Sequence, residues 1–295
     1  MAATLTILTA TWNRRDLLPR LYASLVAQTG YYDAFEWVVV DDGSTDETAP
    51  YLAEIAQKAP FSVHVVHQEN GGKHRALNRG IQTLRTPWLL IVDSDDWLLS
   101  QGIANALLDI GSLAVTPEVT SIIAPCQFGD DSLPPPRQST EILTYFQWMS
   151  VQDGDTSILL RSELLQKFRF PSFPGENFIA ESAVYARAFR NGGILLSNNS
   201  LVSAEYQPGG LSDRSLALRM KNPLGCLYTY RAQLDAGVKG RTRLRAQANY
   251  HRFFWHGLLS GKAPGKHGFQ PNPLWLALTA PLAVRDRLKP ATSQK

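Results

Sequence analysis

The first hundred residues alternate between short apolar runs and longer segments whose apolar residues recur at helical spacing. These patterns predict strands at 4–11, 36–40, 62–68 and 88–92, and helices at 16–28 and 73–85. Between them, Ser44 or Thr45 should cap a helix that runs to about residue 58. The second strand is apolar at nearly every position, so we expect it in the middle of a sheet with both faces covered. Strands that alternate with helices over short connections indicate a doubly wound α/β sheet.

Beyond residue 100 the pattern is looser. We predict helices at 102–114 and 181–190, strands at 121–128 and 156–160, and a mostly helical remainder from about residue 216. A stretch rich in glycine and proline at 261–273 should interrupt that remainder. We therefore divide the chain into residues 1–100, residues 101–215 of the same domain, and a helical, basic C-terminal extension of residues 216–295.

Composition narrows the class of protein. The 295 residues are 44% hydrophobic and 19% charged, as in soluble globular proteins. The two cysteines form no CxxC pair, which disfavours a disulfide framework and a zinc site and fits a reducing compartment. The N-terminal residues lack the features of a signal peptide, and no apolar window of about 18 residues is present. We therefore expect a cytoplasmic protein.

Charge is distributed unevenly along the chain. Residues 239–295 contain eleven Lys and Arg but a single acid, Asp286, which leaves 18 basic and 25 acidic residues in 1–238. Aromatic residues such as Phe254 and Trp275 accompany this charge, a combination typical of segments that adsorb to an anionic membrane, here its inner face. The alternative is a helical appendage that packs on the domain and has a basic outer face. No nucleic-acid motif accompanies the charge, so we expect no nucleic-acid partner.

Each of the four predicted N-terminal strands runs into a polar cluster; in chain order these are TATWN, DDGSTD, QENGGKHR and DSDD. Any one of them could be a turn with a helix cap, because these residue types are common in turns. Ligands of open parallel sheets, however, bind beyond the carboxyl ends of the strands. Four polar clusters at that one edge therefore predict a binding crevice.

The DSDD cluster brings Asp93, Asp95 and Asp96 close together after a buried strand. Neighbouring carboxylates repel one another, so each raises the cost of ionising the next. A Mg²⁺ or Mn²⁺ ion would offset that charge, because such ions bind through one or two carboxylates and bridge to a substrate diphosphate. The alternative is a solvated acidic turn before helix 102–114.

The third cluster supplies complementary positive charge. Gly71 and Gly72 allow backbone N–H groups to approach a ligand where a helix begins, and Lys73 and Arg75 add cationic groups. The alternative is a glycine turn before an ordinary basic helix. Neither GxxxxGK[ST] nor a GxGxxG after the first strand is present, which disfavours P-loop NTPases and dinucleotide dehydrogenases.

Four segments together resemble the family 2 glycosyltransferases of the GT-A fold: TILTATWNRRDLLPRLYASLVAQT, EWVVVDDGSTDET, ENGGKHRALNRGI and WLLIVDSDDWLL. They come in that family's order and spacing and cover about residues 4–100. The resemblance implies a GT-A-type, Rossmann-like, mostly parallel sheet flanked by helices. It also implies a metal-dependent inverting enzyme that moves a sugar from a nucleotide-diphosphate sugar to a hydroxyl of a glycan or lipid-linked acceptor, in cell-surface polysaccharide or glycolipid synthesis. Residues 1–100 would then bind the nucleotide sugar and 101–215 the acceptor.

The resemblance also assigns candidate site residues by their positions. Those that would contact the nucleobase or lie beside it are Ala10, Trp12, Asn13, Asp41 and Asp42. Those that would lie near the ribose, the diphosphate or the rest of the donor are Lys73, Arg75, Asp93 and Ser94. Asp93, Asp95 and Asp96 would form the DxD-type metal site, in either of two registers.

The catalytic base of the family is usually an acidic residue in an "ED" pair at the start of a helix. Here GENFIAESAVYAR (175–187) matches, with Glu181 in the acidic position but Ser182 where the family commonly has Asp. We expect Glu181 to take the acceptor proton, with Glu176 as second candidate and a helix-dipole role as the alternative. A segment after the base covers the donor in some relatives. Its basic residues, which could equally form a solvated helix face, are Arg214, Arg219 and Lys221.

Other classes of protein fit the pattern less well. A nucleotidyltransferase would need a Gly-rich GxGxR loop directly after the first strand, where TATWNRRD stands. A phosphoacceptor receiver domain would be much shorter and would carry its acidic pair after the first strand rather than the second. A degenerate GT-A protein that binds glycans without turnover stays open, because Ser182 replaces the usual Asp, although the intact DSDD argues against it.

Overall fold

The computed structural model describes residues 3–112, 114–128, 141–151, 154–205 and 215–288. The strands are β1 (Leu5–Thr11), β2 (Phe35–Asp41), β3 (Ser62–His67), β4 (Trp88–Ile91), β5 (Trp97–Leu98), β6 (Val119–Pro125), β7 (Gln127–Phe128), β8 (Ile142–Leu143), β9 (Thr156–Arg161), β10 (Gly193–Leu196) and β11 (Val202–Ala204). The helices are α1 (Leu18–Val26), α2 (Thr48–Lys58), α3 (Lys73–Ile81), α4 (Gly102–Ile110), α5 (Tyr145–Val151), α6 (Ser162–Lys167), α7 (Ser182–Ala188), α8 (Ser215–Lys221), α9 (Pro223–Asp235), α10 (Gly240–Leu259) and α11 (Pro273–Leu288).

These residues fall into two compact units. The first runs to Arg169 and includes 191–205, and the second consists of 170–190 and the described residues from Ser215 onward. The boundaries that we predict at residues 100 and 215 divide the chain by expected function, so the two compact units do not test them. They stay a prediction.

The first unit is built on an eight-stranded sheet in the order β3-β2-β1-β4-β9-β6-β10-β8. β1 pairs in parallel with β2 and β4, and the pairs β2–β3 and β6–β10 are parallel as well. β9 runs antiparallel between β4 and β6, and β8 runs antiparallel beside β10 at one edge. The sheet is therefore mostly parallel and flanked by helices, which confirms the predicted α/β fold class.

Burial of β2 on both faces explains its unbroken apolar run from Trp37 to Val40. On one face, Trp37 and Val39 of β2 share a core cluster with leucines of α1 and α2, among them Leu21 and Leu52. On the other face α3 packs so closely that a Cβ added to Gly80 would lie 2.3 Å from Leu8 Cδ1. A strand covered on both sides has no solvent face, so polar alternation would be costly there.

Two details of the predicted elements are wrong. Neither Ser44 nor Thr45 starts a helix, because α2 begins at Thr48, whose N–H donates to Asp46 Oδ1 at 3.0 Å. The single strand predicted at 121–128 is two strands: β6 ends at Pro125, and β7 joins β5 and β11 in a separate three-stranded sheet. Proline has no N–H for the ladder, so a strand commonly ends there.

The second unit is helical, as expected for the C-terminal extension. α9 and α10 bury an apolar cluster that includes Leu227, Phe253 and Phe254. Asp286 of α11 is buried, and both of its oxygens accept hydrogen bonds from Arg252 of α10 at 2.5 Å. A bidentate pair of this kind fixes one helix against the next. Within the part of the chain described here, no helix combines the length and apolar character needed to cross a bilayer.

Candidate active site

The four polar clusters lie at the same edge of the sheet. Parallel pairing aligns the end of β1 with that of β2, where Thr11 stands opposite Asp41, and Asp41 stands opposite His67 at the end of β3. Beyond β4, the N–H of Val92 still bonds to the Leu8 carbonyl of β1 at 3.0 Å. The DSDD turn therefore begins beside the last residues of β1.

Asp42 holds the glycine loop that follows β3. Its buried carboxylate accepts hydrogen bonds from Gln68 Nε2 (2.6 Å), the Gly71 N–H (2.9 Å) and the Gly72 N–H (2.7 Å). Gly43 next to it has φ +74°, and a Cβ there would lie 2.7 Å from the Asn70 nitrogen. Asp42, which we predict to contact the nucleobase, therefore uses its carboxylate to hold the glycine loop.

The loop after β1 is joined to the DDGSTD segment by reciprocal hydrogen bonds. Asn13 has φ 51°, a left-handed conformation that Asn tolerates better than most residues. Its N–H donates to Ser44 Oγ at 2.9 Å, and its Oδ1 accepts the Thr45 N–H at 2.8 Å. Ser44 and Thr45 were expected to cap a helix, but they hold this loop instead. Ala10 is half-buried, and Trp12 is 52% exposed.

Asp41 is buried beside Asp42 and has different partners. Its Oδ1 accepts the Ser44 N–H at 3.0 Å, and its Oδ2 lies 3.2 Å from Nδ1 of His67. The histidine was not among the predicted site residues. Its position at the end of β3, opposite Asp41, could have indicated the contact.

Lys73 connects the glycine loop to the DSDD turn. It is the first residue of α3, and its Nζ donates to Asp93 Oδ2 at 2.7 Å. Arg75, the third residue of α3, bonds back to the Gly71 carbonyl. Ser94 is buried in the turn itself. The ends of β3 and β4 therefore carry a cationic side chain in direct contact with a carboxylate.

The DSDD turn crowds negative charge into a partly buried space. Burial, and next the charge of Asp93, raises the pKa of Asp95. Burial and the charges of Asp93 and Asp95 raise the pKa of Asp96 to about 8. In the described ranges no three His, Cys, Asp or Glu side chains form a ligand cage. The turn can thus offer one or two carboxylates, which suits a Mg²⁺ or Mn²⁺ ion that takes its other ligands from water and phosphate.

Arg20 of α1 supports this turn and was missed in the sequence. Its Nη2 donates to the Asp95 carbonyl at 2.7 Å, and its guanidinium lies 3.9 Å from the centre of the Trp97 ring. Its Nη1 also pairs with Glu205. Arg20 belongs to an ordinary amphipathic helix, and no local pattern distinguishes it.

The two candidate bases lie in the second unit. Glu181 is the partly buried N-cap residue of α7, and its Oε2 accepts a hydrogen bond from Tyr185 Oη at 3.3 Å. Glu176 is buried, and its two oxygens accept the N–H groups of Leu224 (2.8 Å) and Gly225 (2.7 Å) at the start of α9. Burial raises the pKa of Glu176, although these two hydrogen bonds act to lower it.

The remaining candidates are the three basic residues of the segment that follows the predicted base. Arg219 and Lys221 lie in the last turn of α8. Arg214 lies outside the described residues.

The family model described as Glycosyl transferase family 2 matches residues 6–162, more than half of the chain. The chain therefore belongs to glycosyltransferase family 2. Putative glycosyltransferase EpsH of Bacillus subtilis (strain 168) is 36% identical over 92 residues, or 31% of this chain and 26% of that protein. Poly-beta-1,6-N-acetyl-D-glucosamine synthase of Staphylococcus aureus (strain MSSA476) is 32% identical over 91 residues, or 31% and 21%. The chain aligns with about a quarter of the length of these relatives.

Solved structures are similar over more of the chain. TarS 1-349 of S. aureus, in complex with UDP, covers 85% of this chain and 70% of its own with TM-score 0.61 and 18% identity. The mannosyltransferase PcManGT from Pyrobaculum calidifontis, in complex with GDP-Man and Mn²⁺, covers 99% and 82% with TM-score 0.57 and 18% identity. At these identities the likeness concerns the fold alone, and it confirms the predicted GT-A-type architecture.

Proposed function

We propose that the protein transfers a sugar from a nucleotide-diphosphate sugar to an acceptor hydroxyl, with inversion at the anomeric carbon and with a bound Mg²⁺ or Mn²⁺. The observation that carries this proposal is the sheet edge where the Lys73–Asp93 pair joins the glycine loop to the DSDD turn. It presents cationic and backbone donors next to crowded carboxylates. A metal-bound diphosphate needs both kinds of group.

The donor nucleotide would lie across the ends of β1 and β2. Trp12 offers an exposed aromatic face there, Asn13 lies in the same loop, and Ala10 lies near the end of β1. Asp42 would act by holding the glycine loop and Asp41 by holding the start of DDGSTD. Lys73 and Arg75 would bring positive charge to the ribose or diphosphate, beside Ser94.

The residues of the turn fit a divalent ion because burial, and next the neighbouring carboxylates, raise the pKa of Asp95 and Asp96, and a bound cation would offset that cost of ionising them. Asp93 with Asp95 or Asp96 would hold the ion. When bound, it would stabilise the charge that develops on the leaving diphosphate. The structure of PcManGT with GDP-Man and Mn²⁺ supports a divalent metal for this fold.

Glu181 would be the general base. The acceptor oxygen attacks the anomeric carbon opposite the diphosphate, the bond from that carbon to the diphosphate oxygen breaks, and the hydroxyl proton passes to the carboxylate. Glu176 remains the second candidate, and both of its oxygens accept hydrogen bonds from the start of α9.

The acceptor would be a glycan or a lipid-linked saccharide in cell-surface polysaccharide or glycolipid synthesis. Among the relatives are a poly-beta-1,6-N-acetyl-D-glucosamine synthase and the poly(ribitol-phosphate) beta-N-acetylglucosaminyltransferase TarS. Such acceptors are presented at membranes, and residues 239–295 would bring the protein to the inner face of one, from the cytoplasm.

The test is binding and turnover with UDP-, GDP- and dTDP-sugars, with and without Mn²⁺. We expect one donor to bind in a metal-dependent way, and Asp95→Asn to weaken that binding at least tenfold. Glu181→Gln should keep the donor affinity and lose about 10²–10⁴-fold in turnover, the usual contribution of a general base. The anomeric configuration of the product, read by NMR, tests inversion.

Matched variants separate these effects from general damage. Asp33→Asn and Glu163→Gln change exposed carboxylates elsewhere in the first unit and should behave as wild type. Metal-dependent binding of a donor without turnover would favour the degenerate glycan-binding protein. Absence of donor binding across the whole panel would overturn the proposal.

A further inference from the structure

Helix α11 exposes a face that is almost wholly apolar. Its exposed members are Leu274, Ala277, Leu278, Pro281, Val284, Arg285 and Leu288. Three leucines of this face, Leu274, Leu278 and Leu288, are 67%, 61% and 77% exposed. Residues at this spacing lie on one side of a helix. Single exposed leucines are common, but a continuous apolar stripe marks an interaction surface.

The opposite face of α11 is fully engaged within the second unit. Thr279, Ala283 and Asp286 are buried, and Trp255 Nε1 of α10 donates to the Leu276 carbonyl at 2.9 Å. Asp286 is held by the bidentate Arg252 pair and by His256, whose Nε2 lies 3.0 Å away. These bonds set the rotation of the helix, so the stripe faces outward because of how α11 is packed.

The exposed charge of the C-terminal segment to which this stripe belongs is of one sign. Asp286 is the only acid in residues 239–295, and it is buried. The exposed charges in the described part of that segment are therefore all basic, and they include Arg285 and Arg287 at the end of the stripe. An exposed apolar surface bordered by positive charge is complementary to a surface that is apolar beneath and anionic above.

We propose that the outer face of α11 lies in the plane of a bilayer that contains anionic lipid, with its leucines at the acyl boundary and its arginines on the headgroups. The 16 residues of α11 form a helix about 24 Å long, shorter than a bilayer core of about 30 Å, so the helix lies on the surface. A second copy of the chain fits less well, because it would bring the same positive segment against itself.

This inference deepens the proposed function and rests on it, because a transferase held at the membrane surface would meet a lipid-linked acceptor there. The binding itself requires no turnover. Vesicle binding and donor binding are therefore separate measurements. If the protein binds the donor but not the vesicles, only the membrane proposal is contradicted. If it binds the vesicles but not the donor, only the transferase proposal is contradicted.

The test is co-sedimentation with vesicles of phosphatidylcholine alone or of two parts phosphatidylcholine to one part phosphatidylglycerol. The apolar variant is Leu274→Ser/Leu278→Ser/Leu288→Ser, and the charge variant is Arg285→Gln/Arg287→Gln. The control is Leu108→Ser, which changes a leucine that is 69% exposed on α4 of the first unit. Thermal unfolding of each variant checks that the fold is kept, as expected for exposed positions.

We expect the wild type and the Leu108 variant to sediment with anionic vesicles and to be released by salt. The apolar variant should bind at least tenfold more weakly. The charge variant should bind more weakly and depend less on salt. Wild-type protein that stays in solution with anionic vesicles would overturn the proposal, as would an apolar variant that binds like the wild type. A dimer that the apolar variant dissociates, seen by light scattering, would overturn it in favour of a second copy.

Discussion

Asp42 organises the candidate site through one buried carboxylate. Gln68, Gly71 and Gly72 all donate to it, and bonds to an ionised acceptor are stronger than those between neutral groups. Without the carboxylate, two backbone N–H groups of the glycine loop would lose their partner. A contact with the nucleobase is therefore not required for Asp42 to matter to the site.

Arg20 should act as a positioning residue for the DSDD turn. Lysine cannot reproduce its planar fork, which donates to the Asp95 carbonyl while stacking on Trp97. We expect Arg20→Lys to weaken metal-dependent donor binding about tenfold, or about 1.4 kcal/mol. The unfolding free energy should change by less than about 1 kcal/mol, because the side chain is partly exposed. Titration calorimetry and urea unfolding measure the two quantities.

The control for this variant is Arg15→Lys. Arg15 also lies over an aromatic ring, 4.1 Å from the centre of Tyr51, but none of its described bonds reaches the turn. Equal losses of donor affinity in both variants would show that Arg20 has no particular role.

The hairpin of α10 and α11 depends on one buried carboxylate. Replacing Asp286 with Asn leaves the charge of Arg252 without its counter-charge in a nearly buried position. We expect Asp286→Asn to lower the unfolding free energy by about 3–5 kcal/mol, the usual cost of breaking a buried ion pair. The control is Asp235→Asn, because Asp235 pairs with Arg231 at an exposed position. This variant should lower the unfolding free energy by less than about 1 kcal/mol. Urea unfolding of the two variants provides the comparison, and equal losses would contradict this account of the hairpin.

The same cluster predicts how stability responds to acid. Burial lowers the pKa of His256, so the unfolded chain takes up a proton more readily than the folded one. Although burial opposes it, hydrogen bonds from Arg252 and His256 lower the pKa of Asp286, which acts in the same direction. Stability should therefore fall as the pH drops below about 6.5 and fall further in the carboxylate range. His256→Gln should reduce the first of these losses, and an unchanged pH profile in that variant would contradict the assignment.

For the molecule as a whole, metal and nucleotide should act together. If the turn supplies only one or two carboxylates, Mn²⁺ alone binds weakly and the diphosphate completes its ligands. We expect UDP or GDP with Mn²⁺ to stabilise the folded protein by about 2.7 kcal/mol at a hundredfold excess over Kd, and Mn²⁺ alone to do much less. Differential scanning calorimetry measures this, with Asp93→Asn as the variant that should lose it. An equal rise with Mn²⁺ alone would indicate a complete metal cage.

Much of the first unit could be predicted because its signals are local. Apolar runs and helical spacing identified β1 to β4 and α1 to α4 within a few residues, and the confirmed fold class followed from their alternation. The direction of β9 could not be predicted, since a short apolar strand carries no mark of its pairing. The predicted site residues Lys73 and Asp93 lie together, but their roles await the experiments above.

By itself the sequence determined the order of strands and helices, the four polar clusters at their ends and the basic character of the last 57 residues of the chain, 239–295. Periodicity and charge are properties of neighbouring residues, so they can be read directly. Only the tertiary structure decided that Arg20 meets Glu205, 185 residues away, that Glu176 caps α9, and that Leu274, Leu278 and Leu288 of α11 face outward. Such contacts depend on how distant segments pack, and a single hydrogen-bonded side chain leaves no repeating pattern in the sequence.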